Sequence, residues 1–334
     1  MLILNNYSAI SGYDINFINE VVIESSWDTL TDRATMIFPR NVIFKKDGEV
    51  VGNLARGNSV FNPGDVAVLS AGYSGGIKTN GQTERFNGYI SKITPKLPIE
   101  VSMEDSMYLL KQKRIGKYSK SKITLSGLLS DFGISKFTAD DRQLGYVRIA
   151  DPNTTVAMML DHLKRTQGII SYFRGDELIS GFAYTTEKAK YPERRKNIIL
   201  DSSVNIIDDS GLEYVKKGAY NISLKVVCIY PDNTKIEKEV GAPGGDNRTI
   251  YVYDIPEADL KRIAEEELQK FDYEGFRGKL VTFLEPQIKH GDTVTIKNDV
   301  ITDKPGTYLV KSVTTTYGYG GGRQIVELDR AVNE

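Results

Sequence analysis

A short phrase is written twice in this chain, near opposite ends. FNPGDVAVL followed by FNGYISKI lies within residues 61–93, and IKHGDTVTI followed by KPGTYLVKSV lies within 288–313. Each copy has a Gly-Asp turn, an alternating strand, a loop, a second glycine, an aromatic and another alternating strand. Pro63 presets φ at the second position of its turn, and Gly64 supplies a positive φ at the third. Val66, Val68 and Ser70 then share one strand face, opposite Ala67 and Leu69. Two such units so far apart predict a duplicated β-barrel, not a solenoid, whose repeats follow one another at short period. Gly64, Asp65, Gly88 and Tyr89 mark the first unit; Gly291, Asp292, Gly306 and Tyr308 mark the second. These residues read as structural turn markers, not as a binding site.

Between the two copies the pattern changes. Residues 105–113 and 124–132 read as short helices, the second capped by Thr124 with Leu125, Leu128 and Leu129 as its apolar stripe. Residues 154–167 form a clearer helix, capped by Asn153 or Thr154 and stopped by Gly168. A hairpin turning at Arg174-Gly175-Asp176 follows. Further on, strands flank Pro231-Asp232-Asn233, and one long helix is predicted over about 256–270, entered through Pro256. The expected fold class is mainly β with an α+β insertion: two similar β-barrel domains plus a small helix/hairpin domain. The boundaries are 1–103 for the first barrel, with 182–206 as a candidate completion, 104–181 for the insert, and 207–334 for the second barrel with its helix near 256–270.

The 334 residues suit two or three domains, and a net charge of −1 argues against a polyanion-binding chain. The single Cys228 excludes an internal disulfide and fits synthesis in a reducing cytoplasm. No apolar run is long enough for a membrane-spanning helix, and the start lacks a signal-peptide pattern. Chemistry is poorly supplied. Only His162 and His290 are present, and both read as surface or turn residues. Glu265, Glu266 and Glu267 fan around a helix and do not converge as an acid/base pair. The Gly318–Gly322 run lies between strands, whereas phosphate loops need a strand-to-helix context. No cofactor, metal site or enzyme activity is expected.

Two features leave room for ligands. Residues 111–122 carry six basic side chains and no acid, and a second cluster lies at 188–196. Either a solvated loop or a phosphate contact accounts for them. Tyr317 and Tyr319 could stack on sugars, so a carbohydrate-binding or adhesive β-module is the alternative reading.

The ordered set of pieces points to a family. It runs from an N-terminal strand set ending RATMIFP to FNGYISKITPKLPIEVSMEDSMYLLKQ. TTVAMMLDHLKRTQGIISYFRGDELISGFAY comes next, and YEGFRGKLVTFLEPQIKHGDTVTIKN with GTYLVKSVTTTYGYGGGRQIVELDRAV closes it. The set resembles the baseplate hub proteins of phage tails, the late-control D family, and the hub portion of type VI secretion spike proteins. The resemblance implies a homotrimer whose six barrels form a pseudo-six-fold ring, adapting a hexameric tail tube to a three-fold spike. It implies a tail tube protein and a separate spike protein as partners, with DNA or a tape-measure as a transient contact in the channel. It implies a structural role in a phage, prophage, secretion or injection particle, assembled in the virion tail after synthesis in the bacterial cytoplasm. No lysozyme or peptidase extension is recognised.

Overall fold

Period-two alternation becomes half-buried strands over most of the chain, in a computed structural model that describes residues 3–15, 18–39, 42–46, 49–53, 61–74, 83–94, 98–139, 143–181, 196–219, 221–297 and 306–332. The fold is mainly β with a small helical part, and its principal sheet curls as a half-barrel.

The N-terminal unit contains β1 (Ile3–Ile10), β2 (Tyr13–Ile15), β3 (Glu20–Ser26), β4 (Arg33–Phe38), β5 (Ile43–Lys46), β6 (Glu49–Asn53), β7 (Val66–Ser74), β8 (Thr83–Thr94) and β9 (Ile99–Glu104). Register fixes its core. Ala34, Met36 and Phe38 of β4 lie opposite Met103, Val101 and Ile99 of β9, and all six are buried. Phe38, Tyr13 and Phe61 pack around Phe44, each ring edge-on to it; Phe44 and Phe61 have ring centres 4.9 Å apart at 79°. Strand β7 runs on to Ser74, and residues 75–82 lie outside the described residues.

The insert contains α1 (Met107–Gln112), β10 (Tyr118–Lys120), α2 (Leu125–Asp131), β11 (Phe137–Ala139), β12 (Val147–Ile149), α3 (Val156–Gln167), β13 (Ile170–Arg174) and β14 (Glu177–Gly181). Thr124 caps α2, accepting the Gly127 N–H at 3.0 Å. The cap of α3 is Thr155, not Asn153 or Thr154: its extended backbone lets its hydroxyl accept the Met158 N–H. The two preceding residues are instead held in a turn by Asp151, whose side chain takes the Asn153 N–H and whose carbonyl takes the Thr154 N–H. Gly168, at φ +66°, ends α3 in the left-handed region.

The remainder contains β15 (Asn197–Asp201), β16 (Ile206–Asp208), β17 (Leu212–Val215), β18 (Ile222–Ile229), β19 (Lys235–Gly241), β20 (Asp246–Tyr253), α4 (Glu257–Phe271), β21 (Gly275–Thr282), β22 (Thr293–Lys297), β23 (Gly306–Gly318) and β24 (Gly321–Ala331). Here β18, β19 and β20 form a sheet of their own, covered by α4 through Leu260, Ala264 and Phe271. This layer interrupts the span expected as the second barrel, whose core lies on strands from both sides of it: Ile198, Leu200, Phe276, Val294, Tyr308 and Val326. The three-stranded layer docks on the insert. Lys235 Nζ donates to the Thr166 carbonyl at 2.8 Å, at the carbonyl end of α3 where a cation is favoured. Residues 182–195 lie outside the described residues, and β15 pairs in parallel with β22 of the C-terminal unit.

Among the described residues, sixteen strands join one hydrogen-bonded sheet. The seam is β23 against β3, antiparallel from Ser312 opposite Ser26 to Gly318 opposite Glu20. Leu284 and Tyr317, both from the C-terminal unit, are fully buried in the N-terminal core.

Candidate functional site

The duplicated phrase is duplicated down to its hydrogen bonds. In the first copy the Asn62 N–H donates to Asp65 Oδ2 at 2.9 Å, and the Asp65 N–H returns to the Asn62 carbonyl at 3.1 Å. In the second, the Lys289 N–H donates to Asp292 Oδ2 at 3.0 Å, and the Asp292 N–H returns to the Lys289 carbonyl at 3.1 Å. The glycine N–H then crosses to the next strand, Gly64 to the Ile90 carbonyl and Gly291 to the Val310 carbonyl, both at 2.8 Å. The Ile90 and Val310 N–H groups come back to the Asp65 and Asp292 carbonyls, both at 2.9 Å. Gly64 and Gly291 have φ of +95° and +78°, which a side chain would strain.

These bonds set the correspondence between copies. Ile90 matches Val310, so Tyr89 matches Leu309 and Gly88 matches Tyr308. The match by residue type, Gly88 with Gly306 and Tyr89 with Tyr308, is therefore offset from the match by backbone. Gly88 lies inside β8, where a Cβ would come 2.1 Å from the Glu104 carbonyl oxygen. Gly306 opens β23, where a Cβ would come 2.2 Å from the Tyr308 hydroxyl. Tyr308 is fully buried and its hydroxyl accepts the Phe276 N–H at 2.8 Å. Tyr89 is half-buried and stacks on Tyr108 of the insert with ring centres 5.8 Å apart.

Beside the second turn lies a junction of all three parts. It contains Asp32 from the β3–β4 loop, Asp105 between β9 and α1, Tyr172 and Arg174 from β13, and Lys289, His290 and Asp292 from the β21–β22 loop. Several of them line a cavity of about 80 Å³. His290 occupies a turn, as the sequence suggests, but it is buried. Its Nε2 lies 3.5 Å from Asp32 Oδ2, and its ring meets the Tyr172 ring edge-on at 4.8 Å. Arg174 donates to the His290 carbonyl at 2.9 Å and to Asp292 Oδ1 at 3.0 Å. Asp105 accepts the Met107 and Asp32 N–H groups at 3.0 and 3.2 Å. Burial, and then the Asp32 charge, push the Asp105 carboxyl up to about 8. Burial, and then the Arg174 charge, push the Lys289 ammonium down. Residue-type counting missed this junction because its members come from four distant segments, with Asp32 and His290 258 residues apart, and no one segment carries more than part of it.

Gln324 is a second residue that was missed. Fully buried on β24, it donates to the Phe283, Leu284 and Pro286 carbonyls at 2.8–3.1 Å and accepts the Ile288 N–H at 3.1 Å. It holds the 283–288 segment that leads into the second turn. Strand alternation carries the signal, since Gln324 shares a face with Val326 and Leu328.

The other candidates separate. Lys111 pairs with Glu104 at 2.8 Å, Lys120 pairs with Asp131 at 2.9 Å, and Lys113 donates to the Gly133 carbonyl at 2.9 Å. Half of the basic side chains of residues 111–122 are thus occupied within the chain; of the second cluster, 188–195 lies outside the described residues. Tyr317 is buried and closed to a sugar, while Tyr319 is 97% exposed. The exposed Glu265 and Glu266 pair along α4 with Lys261 and Arg262. His162 is exposed on α3. Among the described residues, no group of three or more His, Cys, Asp or Glu is placed to hold a metal ion, and no helix is long and apolar enough to cross a membrane.

No family model matches this sequence, and no curated protein matches it. Solved structures do. The 43 kDa tail protein of prophage MuSo2 from Shewanella oneidensis matches over 98% of both chains, with a TM-score of 0.58 at 12% identity. A tail protein from Neisseria meningitidis MC58 matches over 99% of this chain and 97% of its own, with a TM-score of 0.58 at 14% identity. This is a phage tail protein fold. The tail-protein fold extends to a type VI secretion component of E. coli, itself described as similar to T4 bacteriophage tail proteins. That component matches over 98% of this chain and 74% of its own, with a TM-score of 0.53 at 12% identity. The resemblance to phage hubs and type VI spike proteins read from the ordered sequence pieces therefore agrees with the fold.

Proposed function

We propose that this chain is the structural hub of a phage tail or a tail-like injection system. Three copies close into a pseudo-six-fold ring that receives a hexameric tube on one face and a three-fold spike on the other. Its partners are the tail tube protein and a separate spike protein, with DNA or a tape-measure as a transient contact in the channel. It is made in the bacterial cytoplasm, is assembled into the particle, and catalyses no reaction. The observation that carries the reading is the twin turn: two β units in one chain share four hydrogen bonds each, within a fold that matches tail proteins from end to end. A three-fold closure of a chain with two like units places six like units around the axis. The paired basic residues and the solvated Glu265 and Glu266 further support a role without chemistry.

The test is the mass of the purified protein, alone and with tube protein, by mass photometry and negative-stain microscopy. Trimeric rings that bind tube ends are expected. Monomers alone, in the presence of tube protein, would overturn the ring.

A further inference from the structure

We infer that the cleft beside the β23–β24 turn is a saccharide site, with the Tyr319 ring as its platform and Asn19, Glu20 and Arg323 as the groups that bond hydroxyls. The inference stands on this cleft and does not depend on the hub reading. The cleft has a volume of about 460 Å³, within the range of about 300–1,000 Å³ that holds small ligands. Its floor is the outward face of neighbouring strands. Alternation turns Val21, Tyr317 and Gln324 into the core and leaves Glu20, Thr316 and Arg323 outward. Register brings the floor together: Ile37 and Gly318 both lie opposite Glu20, and Thr316 lies opposite Arg323. The turn that carries Tyr319 is pinned to this floor. Its N–H donates to the Asn19 carbonyl at 2.9 Å, and the Asn19 N–H donates to the Ile37 carbonyl at 3.1 Å. Gly318 permits that approach, because a Cβ there would lie 2.2 Å from the Asn19 carbonyl oxygen. The backbone under the ring is thus held while the ring itself stands in solvent, so a ligand that stacks on it has little left to order.

The chemistry of the lining selects the ligand. Glu20 and Arg323 have no ion-pair partner among the described residues. Strand β23 runs between them, which puts their backbones on the order of 10 Å apart. They are too far apart to pair with each other, and near enough for one ligand to touch both. An ionised Glu20 accepts hydrogen bonds, Arg323 donates them, and Asn19 does both. Sugar hydroxyls donate and accept, so one neutral saccharide satisfies all three. The C–H face of its ring covers the negative face of the tyrosine ring. A phosphate would instead meet the Glu20 carboxylate. A protein partner would need an apolar centre around Tyr319, and the described lining there is Ile37 amid polar residues and glycines.

Saturation-transfer NMR and titration calorimetry on the full chain test this, with cellotetraose, maltotetraose and chitotetraose, all neutral, as probes. At least one should bind with a Kd on the order of 1 mM or below, with transfer strongest to its ring C–H protons. Tyr319→Ala should weaken that binding about tenfold or more, and Glu20→Gln and Arg323→Met about threefold or more each. Melting temperatures should stay level, since these side chains are exposed. Tyr146→Ala, which removes an exposed ring on the insert, should bind as the parent does. No binding of any probe at about 10 mM would overturn the site, as would equal binding by the parent and Tyr319→Ala. Loss of self-association in Tyr319→Ala, with no probe bound by the parent, would assign the ring to a subunit contact and overturn the site too.

Discussion

Arg174 reaches Asp292 at 3.0 Å, joining the tip of the insert's hairpin to the second Gly-Asp turn. Asp292 also accepts the Lys289 N–H at 3.0 Å and is nearly sealed from solvent. Its twin Asp65 makes the same turn with no ion pair to its carboxylate among the described residues, in a less buried place. Asp292→Ala is expected to cost about 2 kcal/mol or more, because it removes a charge-assisted bond to the half-buried Arg174 as well as the turn bond from Lys289. Asp65→Ala is expected to cost about 1 kcal/mol, the net worth of one hydrogen bond. Urea midpoints of the two variants measure the contrast; equal losses would contradict it.

Gly88→Ala places a methyl against the Glu104 backbone, which cannot give way as a flexible side chain can. A loss of about 2 kcal/mol or more is expected, with the β8–β9 pairing disturbed. Gly175→Ala meets open space and carries only the cost of φ +68°, about 1 kcal/mol. Thermal melts of the two variants should rank them in that order.

Gln324→Leu keeps the volume and removes every polar contact to residues 282–288. The Leu284 and Pro286 carbonyls and the Ile288 N–H lose this partner, the Phe283 carbonyl keeps the Thr282 hydroxyl, and about 2–4 kcal/mol of stability should go with the change. The loss should be read both by chemical denaturation and by faster exchange of the Ile288 amide. A variant as stable as the parent would show that water replaces the amide.

Two tyrosines two positions apart should behave oppositely. Tyr317→Ala opens the N-terminal core and should cost about 3–5 kcal/mol. Tyr319→Ala should change stability by less than about 0.5 kcal/mol, since its ring is almost wholly in solvent. If the hub reading holds, Tyr319→Ala is the variant in which to look for altered assembly without altered folding.

The Asp105 carboxyl has a folded pKa raised from 3.8 to about 8. A raised value means that its contribution is fully present below about 4 and lost as pH climbs through about 8. Wild-type stability should therefore decline over that window by an amount on the order of a few kcal/mol. Asp105→Asn should flatten the decline and be the more stable protein at alkaline pH. Denaturant titrations at several pH values check the sign.

Much of the local structure was legible in the sequence. The Pro63-Gly64 turn, the alternation of β4 and β24, the Thr124 cap and the Gly168 stop depend on neighbours a few residues away, so sequence spacing carries them. What it did not carry are relations across long separations. The β3–β23 seam, the parallel β15–β22 pair and the separate β18–β20 layer each depend on which strand edge meets which. Matching the copies by residue type aligned Tyr89 with Tyr308, whereas the backbone aligns it with Leu309, because hydrogen bonds respect register and ignore side-chain identity. His290 shows the same limit: a turn histidine is exposed or buried according to what packs on the turn, and here the insert packs on it.

The β3–β23 seam has a consequence for biogenesis. One edge of β3, at Glu20–Ser26, is completed only by residues 312–318. At a synthesis rate of about 5–20 residues per second, that edge waits roughly 15–60 seconds on the ribosome for its partner. During this interval an apolar strand edge, and the cavity that Tyr317 will fill, are open to other nascent chains. Slower translation of the C-terminal third should therefore raise the insoluble fraction more than slower translation of the N-terminal third, a dependence on timing that leaves the finished fold unchanged.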